Sequence, residues 1–219
     1  MNNAVHHLRG SDPILASIIE QVGACQIAYR EPTFEALARS IVFQQLSTKA
    51  ARTIYGRLEE AAGGRITPDA IQNLGLADMR RAGLSKQKIA YIRDLAEHAL
   101  SGKVDFDRLP GMSDEEVIVA LTDIKGIGVW TAHMFLIFAL RRPNVLAVGD
   151  LGVRTAIKRH YKKRKLPTPE HIEKLAANWR PYCSIACWYL WRSLELPVAK
   201  PTRGTRRRRG RRVLKSRAM

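Results

Sequence analysis

Leu121–Ala156 reads LTDIKGIGVWTAHMFLIFALRRPNVLAVGDLGVRTA, and its reading decides the fold. Before the turn, Glu115, Glu116, Val117, Ile118, Ala120 and Leu121 follow a helical period. After it, Val129 to Leu140 is apolar at helical spacing. Between the two helices stands Ile124-Lys125-Gly126-Ile127-Gly128. Two glycines permit positive φ and a sharp reversal. The second helix then begins with unpaired N–H groups and the positive end of its dipole, which is an anion site. An ordinary helix–helix turn would use the same residues, so GxG alone leaves both readings open.

Asp150 is the second feature. Val145 to Val148 is an apolar approach, and Leu151-Gly152-Val153-Arg154 opens another helix. Asp150 therefore falls at an N-cap, the commonest place for an aspartate. Capping does not exclude chemistry, because a carboxylate fixed at a helix start is a preorganised charge.

Charge narrows the partner. The 219 residues hold 37 Lys and Arg against 20 Asp and Glu, a net charge of +17. Ten of those basic residues and no acid lie at 200–219, which leaves residues 1–199 at +7. A body that is basic throughout suits a polyanion, and a nucleic-acid phosphate is the obvious anion for the turn. The tail, with its RRRR run, is too polar to fold alone and is expected to be disordered, adding salt-sensitive affinity or merely solubility. Three cysteines, Cys25, Cys183 and Cys187, form no disulfide framework. Cys183 and Cys187 are one helical turn apart, but no second pair completes a metal site, so neither metal nor cofactor is expected. Met1 to Gly10 does not resemble a signal peptide, and Val129 to Leu140 is too short to span a bilayer. The expected setting is cytoplasmic, without a membrane.

Elsewhere the chain is punctuated by helix starts. They are Asp12-Pro13, Thr33, Thr67-Pro68-Asp69, Ser85, Ser113 with Glu116 in capping-box spacing, and Pro167-Thr168-Pro169-Glu170. Phe34, Leu37, Ala38, Ile41 and Val42 make a buried face, which the polar stretch Phe43-Gln44-Gln45-Leu46-Ser47 interrupts. Lys86 and Lys88 sit at a helix start, unfavourable for the dipole but sensible if they face phosphates. A solvated charge run explains them equally well. Arg154 and Lys158 begin a basic run to Lys165 that either tracks a strand or faces water. Trp179-Arg180-Pro181 breaks the chain before a last helix holding Trp188, Tyr189 and Trp191.

Taken together, Lys125-Gly126-Ile127-Gly128-Val129-Trp130-Thr131-Ala132, Val148-Gly149-Asp150-Leu151-Gly152-Val153-Arg154, Ile41-Val42-Phe43-Gln44-Gln45-Leu46-Ser47 and Trp179-Arg180-Pro181-Tyr182 resemble the helix-hairpin-helix DNA glycosylases. The branch they most resemble is that of DNA-3-methyladenine glycosylase II. The resemblance covers roughly residues 33 to 195. It implies an all-α fold of two lobes: residues 33–142 with the hairpin, and residues 1–32 with 143–199, the cleft lying between. No large N-terminal domain is expected. It implies a monomer that flips alkylated purines out of double-stranded DNA on the nucleoid and hydrolyses the N-glycosidic bond, with Asp150 as the catalytic carboxylate that stabilises positive charge on the sugar and orients the attacking water.

Roles carried over from the family follow residue by residue. Leu46 is the expected wedge into the duplex, with Gln45 and Ser47 beside it. Lys125, Gly126, Ile127 and Gly128, with Lys86, Lys88 and Arg154, are expected on DNA. Trp130, Trp191 and Met134 are expected around the base, and His133, with no second histidine nearby, reads as a core or pocket-lining residue rather than a ligand. Bifunctional members hold a lysine where Trp130 stands, and tryptophan cannot form an imine, so no lyase activity is expected. Met134 replaces an aromatic common in the branch, a softer wall. Two rivals stay open: a catalytically idle hairpin protein that binds distorted DNA, and a glycosylase for deaminated or mismatched bases.

Overall fold

The computed structural model describes residues 1–197, and the basic segment at 200–219 lies outside them. Among the described residues every regular element is helical. The α-helices are α1 (Asn2–Ser11), α2 (Pro13–Val22), α3 (Phe34–Phe43), α4 (Thr48–Ala61), α5 (Pro68–Asn73), α6 (Leu76–Arg81), α7 (Lys86–Leu100), α8 (Asp114–Thr122), α9 (Val129–Phe138), α10 (Leu151–His160), α11 (Pro169–Ala176) and α12 (Cys183–Ser193). None is long and apolar enough to cross a membrane.

Local chemistry starts most of them. Thr33, Ser47, Thr67, Ser85 and Thr168 each accept a backbone N–H in the first turn of their helix. Ser113 and Glu116 close a reciprocal capping box before α8. Asp12 caps α2 through Ile14 N and Leu15 N, then takes Tyr161 Oη at 2.6 Å and Trp179 Nε1 at 2.9 Å on its other oxygen. Those last two bonds tie the beginning of the chain to α10 and to the short turn before α12.

Buried side chains fall into two clusters. One runs from Phe34 to Val145 and packs α3, α5 and α6 on α7, α4 on α3 and α6, and α8 on α9. The other joins Ala4 to Ile19 with Ala147 to Leu190, packing α1, α2 and α10 on α12. Ile27, Met134, Phe138 and Trp191 touch both. Ile27 belongs to an extended segment, residues 23–33, that crosses from one cluster to the other. Its ends are pinned by Tyr189 Oη to Gly23 O at 3.1 Å and by Arg30 N to Phe138 O at 2.8 Å. The junction of the clusters is thus made by side chains at the end of α9 and on α12.

Candidate active site

Asp150 lies at this junction. Its backbone is extended, α10 starts on it, and Oδ1 accepts Val153 N at 2.7 Å in the N-cap bond. Two indoles complete its shell. Trp191 Nε1 donates to Oδ1 at 2.7 Å, and Trp130 Nε1 donates to Oδ2 at 2.7 Å. The carboxylate is only 8% exposed. Three N–H donors suit an anion, and they fix its orientation against rotation.

A cavity of about 540 Å³ opens beside it, in the range of about 300–1,000 Å³ usual for small-molecule sites. Asp150, Trp130, Met134, Phe135, Phe138 and Trp191 are among its walls. Trp191 stacks on Phe138, centroids 5.7 Å apart and planes 26° from parallel. Gly152 leaves room for this arrangement: a Cβ there would stand 2.9 Å from Trp191 Cδ1 and 3.0 Å from Asp150 Oδ1.

His133 does not belong to this wall. Along α9, residues 130, 131, 134, 135 and 138 share one face, and His133 is rotated out of it. It is half-buried where burial lowers its pKa from the ordinary imidazole value and Asp114, on α8, opposes that shift. Conversely, the cavity includes Trp188, Ser40, Gln26 and Arg30, none of which the sequence reading placed there. Gln26, Ala28 and Arg30 alternate along the extended segment, the period of two that brings every second side chain to one side.

The hairpin sits at the start of α9. Gly126 has φ of +82°, and a Cβ on it would lie 2.1 Å from the Tyr91 ring, so glycine is required on two counts. Ile127 is buried. Gly128 is the N-cap of α9 and supplies no side-chain acceptor, leaving the first-turn N–H groups available to an anion. Lys125, expected on DNA, has a largely exposed side chain that is also paired within the protein. Its N–H and its Nζ each donate to Asp94, both at 2.8 Å, because Asp94 on α7 lies under the hairpin. Burial pushes the Asp94 carboxyl up, but the Lys125 side-chain and backbone bonds outweigh it and hold the carboxyl below its ordinary value.

Lys88 is turned inward. Its Nζ donates to Val42 O at 2.6 Å and Gln44 O at 2.7 Å, closing the carbonyl end of α3, and its partial burial lowers its pKa. Lys86 remains exposed. Arg154 spends its Nε on Pro167 O at 3.1 Å, which ties α10 to the loop before α11. Gln45 and Leu46 form an exposed turn, Gln45 with φ of +58°, while Ser47 caps α4 through Ala50 N. Cys183 and Cys187 are buried, and burial raises the Cys183 thiol to about 11 and the Cys187 thiol to about 12. No metal-binding group of His, Cys, Asp or Glu is found among the described residues.

A family model described as HhH-GPD superfamily base excision DNA repair protein matches residues 38–181, from α3 through the hairpin and Asp150 to the turn before α12. The chain belongs to this superfamily. A relative similar to it throughout is DNA-3-methyladenine glycosylase 1 of Schizosaccharomyces pombe, 34% identical over 93% of this chain and 92% of the relative. A crystal structure of a DNA-3-methyladenine glycosidase from Bacillus halodurans superposes with a TM-score of 0.80 at 41% identity, covering 87% of this chain and 88% of that one. The structure of the Schizosaccharomyces pombe 3-methyladenine DNA glycosylase in complex with abasic DNA gives a TM-score of 0.77 at 34% identity, over 89% and 97% of the two chains.

Proposed function

We propose that this protein is a monofunctional DNA glycosylase, which flips alkylated purines of the 3-methyladenine and 7-methylguanine type out of duplex DNA and hydrolyses the N-glycosidic bond. The observation that carries the proposal is the buried Asp150 carboxylate, held by three N–H donors at the edge of an aromatic cavity. A structural N-cap needs only the bond to Val153 N. The two indole bonds aim the carboxylate, and the cavity beside it gives a flipped nucleoside access to it.

Alkylation at purine N3 or N7 makes the base a cation and a good leaving group, so departure needs no strong acid. Positive charge develops on the sugar as the bond breaks. A fixed carboxylate in a water-poor site stabilises that oxocarbenium-like state and can orient or deprotonate the attacking water. The aromatic walls hold the cationic base through cation–π contacts worth roughly 0.5–2 kcal/mol each, a permissive filter that favours breadth over selectivity. The hairpin N–H groups at Gly128 grip a phosphate, and the turn at Gln45 and Leu46 enters the space left by the base.

Hydrolysis without strand cutting is supported by the chemistry of the walls. A lyase needs an amine to attack the sugar, and no lysine lines the cavity among the described residues. We take the protein to act as a monomer. We place its work on chromosomal DNA in the cytoplasm, with the two clusters as lobes astride the cleft.

The test is release of free methylated base from methylated duplex DNA, with strand breakage followed in parallel. Wild type releases base and leaves an intact strand that breaks only on alkali. Asp150→Asn keeps an N-cap but has one carbonyl oxygen for three donors, and its release falls by at least about a hundredfold, the scale of losing a preorganised charge in such a site. Undiminished release by Asp150→Asn would remove Asp150 from the reaction. Binding without release by wild type would favour the idle binder.

A further inference from the structure

The exposed turn at 44–47 and the hairpin at 124–128 lie about eighty positions apart in sequence, yet one side of α7 serves both. Lys88 Nζ closes the end of α3 by donating to Val42 O and Gln44 O. Three residues on, the Tyr91 ring lies against Gly126, where a Cβ would stand 2.1 Å from it. Three further on, Asp94 takes both the N–H and the Nζ of Lys125. Spacings of three keep these side chains on one ridge of the helix. The circuit is closed directly: Gln44 Nε2 donates to Gly126 O at 2.9 Å.

The turn needs such support. Gln45 holds φ of +58° without being glycine, a conformation that persists only where its surroundings impose it. The two carbonyls bound by Lys88 flank Phe43, and the second is that of Gln44, next to the strained residue. Lys88 and Gln44 are therefore poorly explained as surface groups. Both side chains are turned inward, at the one place where the turn and the hairpin meet.

We propose that Lys88 and Gln44 are positioning residues that set the turn at a fixed offset from the phosphate-gripping hairpin, so that one docking event brings the side chains at 45 and 46 into register with the base to be displaced. This rests on the reading of the chain as a base-flipping protein. The arrangement makes phosphate binding and duplex entry a single rigid act. With the latch broken, the hairpin still meets phosphates, but the turn samples positions that miss the base step.

The full chain tests this without catalysis. The probe is a duplex with a stable tetrahydrofuran abasic-site analogue and 2-aminopurine next to it, which brightens when a side chain unstacks it. The variants are Gln44→Met and Lys88→Met, which keep length and lose the donors, and Lys88→Arg, which keeps donors. Wild type brightens the probe. Gln44→Met loses brightening at saturation by about two- to thirteen-fold, the range for one net hydrogen bond, and Lys88→Met, which removes two, loses at least as much. Their affinity for undamaged duplex and their unfolding temperature fall proportionately less, and Lys88→Arg recovers most of the signal. Brightening equal to wild type in the methionine variants overturns the proposal. So does a loss that simply parallels affinity and unfolding temperature, since that is a fold-wide effect. A wild type that never brightens the probe overturns it as well. Base release from methylated DNA is read separately, so failure of the glycosylase reading appears there.

Discussion

Replacing Gly152 with alanine separates the stability of the site from its chemistry. The new Cβ would stand 2.9 Å from Trp191 Cδ1, 3.0 Å from Asp150 Oδ1 and 3.2 Å from Trp191 Nε1. Those are the atoms of the indole–carboxylate bond, now 2.7 Å long. Trp191 cannot retreat freely, because Phe138 is stacked on it. The bond therefore stretches or the carboxylate turns. A hydrogen bond to a charged group is worth about 1.5–3 kcal/mol. If that much is lost in the transition state, release slows about 10- to 150-fold, at about 1.4 kcal/mol per decade. Against this, alanine is up to about 1 kcal/mol better than glycine inside a helix. Net stability should therefore fall by about 0.5–3 kcal/mol, an unfolding-temperature drop of about 1–12 °C for a chain this size. Single-turnover release from methylated duplex, beside thermal unfolding by circular dichroism, reads both. Release within twofold of wild type would refute the claim that the Trp191 bond aims Asp150. A larger fall in unfolding temperature would show that the clash is relieved by unpacking.

Three other outcomes are expected. Trp130→Phe keeps an aromatic wall but removes the donor to Asp150 Oδ2, and single-turnover release should fall about tenfold, as for one charge-assisted hydrogen bond. Asp12→Ala strips the cap of α2 and leaves the buried Tyr161 and Trp179 donors unpaired, so it should lose about 3 kcal/mol or more and about 6–12 °C in unfolding temperature by calorimetry. Asp94 has its carboxyl held below the ordinary value of 3.8, so its contribution to stability is present above that pH and is lost as pH falls through the depressed value. Urea midpoints measured from pH 6 down to pH 3 should accordingly fall more steeply for wild type than for Asp94→Asn, and equal slopes would refute that coupling.

The helix starts were legible because capping is local. Thr33, Thr67, Ser85, Ser113, Asp150 and Thr168 each need only an oxygen three residues before an N–H, and each makes that bond. The reversal at Gly126 was legible for the same reason. The resemblance, not periodicity, brought Trp130, Met134 and Trp191 together with Asp150, and they do share one cavity. Of the two readings of His133, core or pocket-lining, the structure leaves the first: it misses the wall by a single step around α9, a register that an all-apolar helix does not reveal. The wall formed by Gln26 and Arg30 was missed because contacts made far away in sequence lay that segment across the junction. The partners of Lys88 and Lys125 were not legible: sequence gives a lysine's charge but not its partner, and here Lys88 donates to two protein carbonyls while Lys125, still largely exposed, pairs with Asp94.

Three of the four tryptophans donate an indole N–H to an aspartate that starts a helix. Asp12 and Asp150 are in this sense twins: 7% and 8% exposed, each bonded to first-turn N–H groups, each clasped by indole. Tyr161 seals the first, while a cavity adjoins the second. The molecule thus contains its own control experiment, one capped carboxylate walled in and one left beside an opening. For anyone building enzymes, that pair is a recipe: an ordinary helix cap becomes a candidate reactive group when its last neighbour is replaced by space.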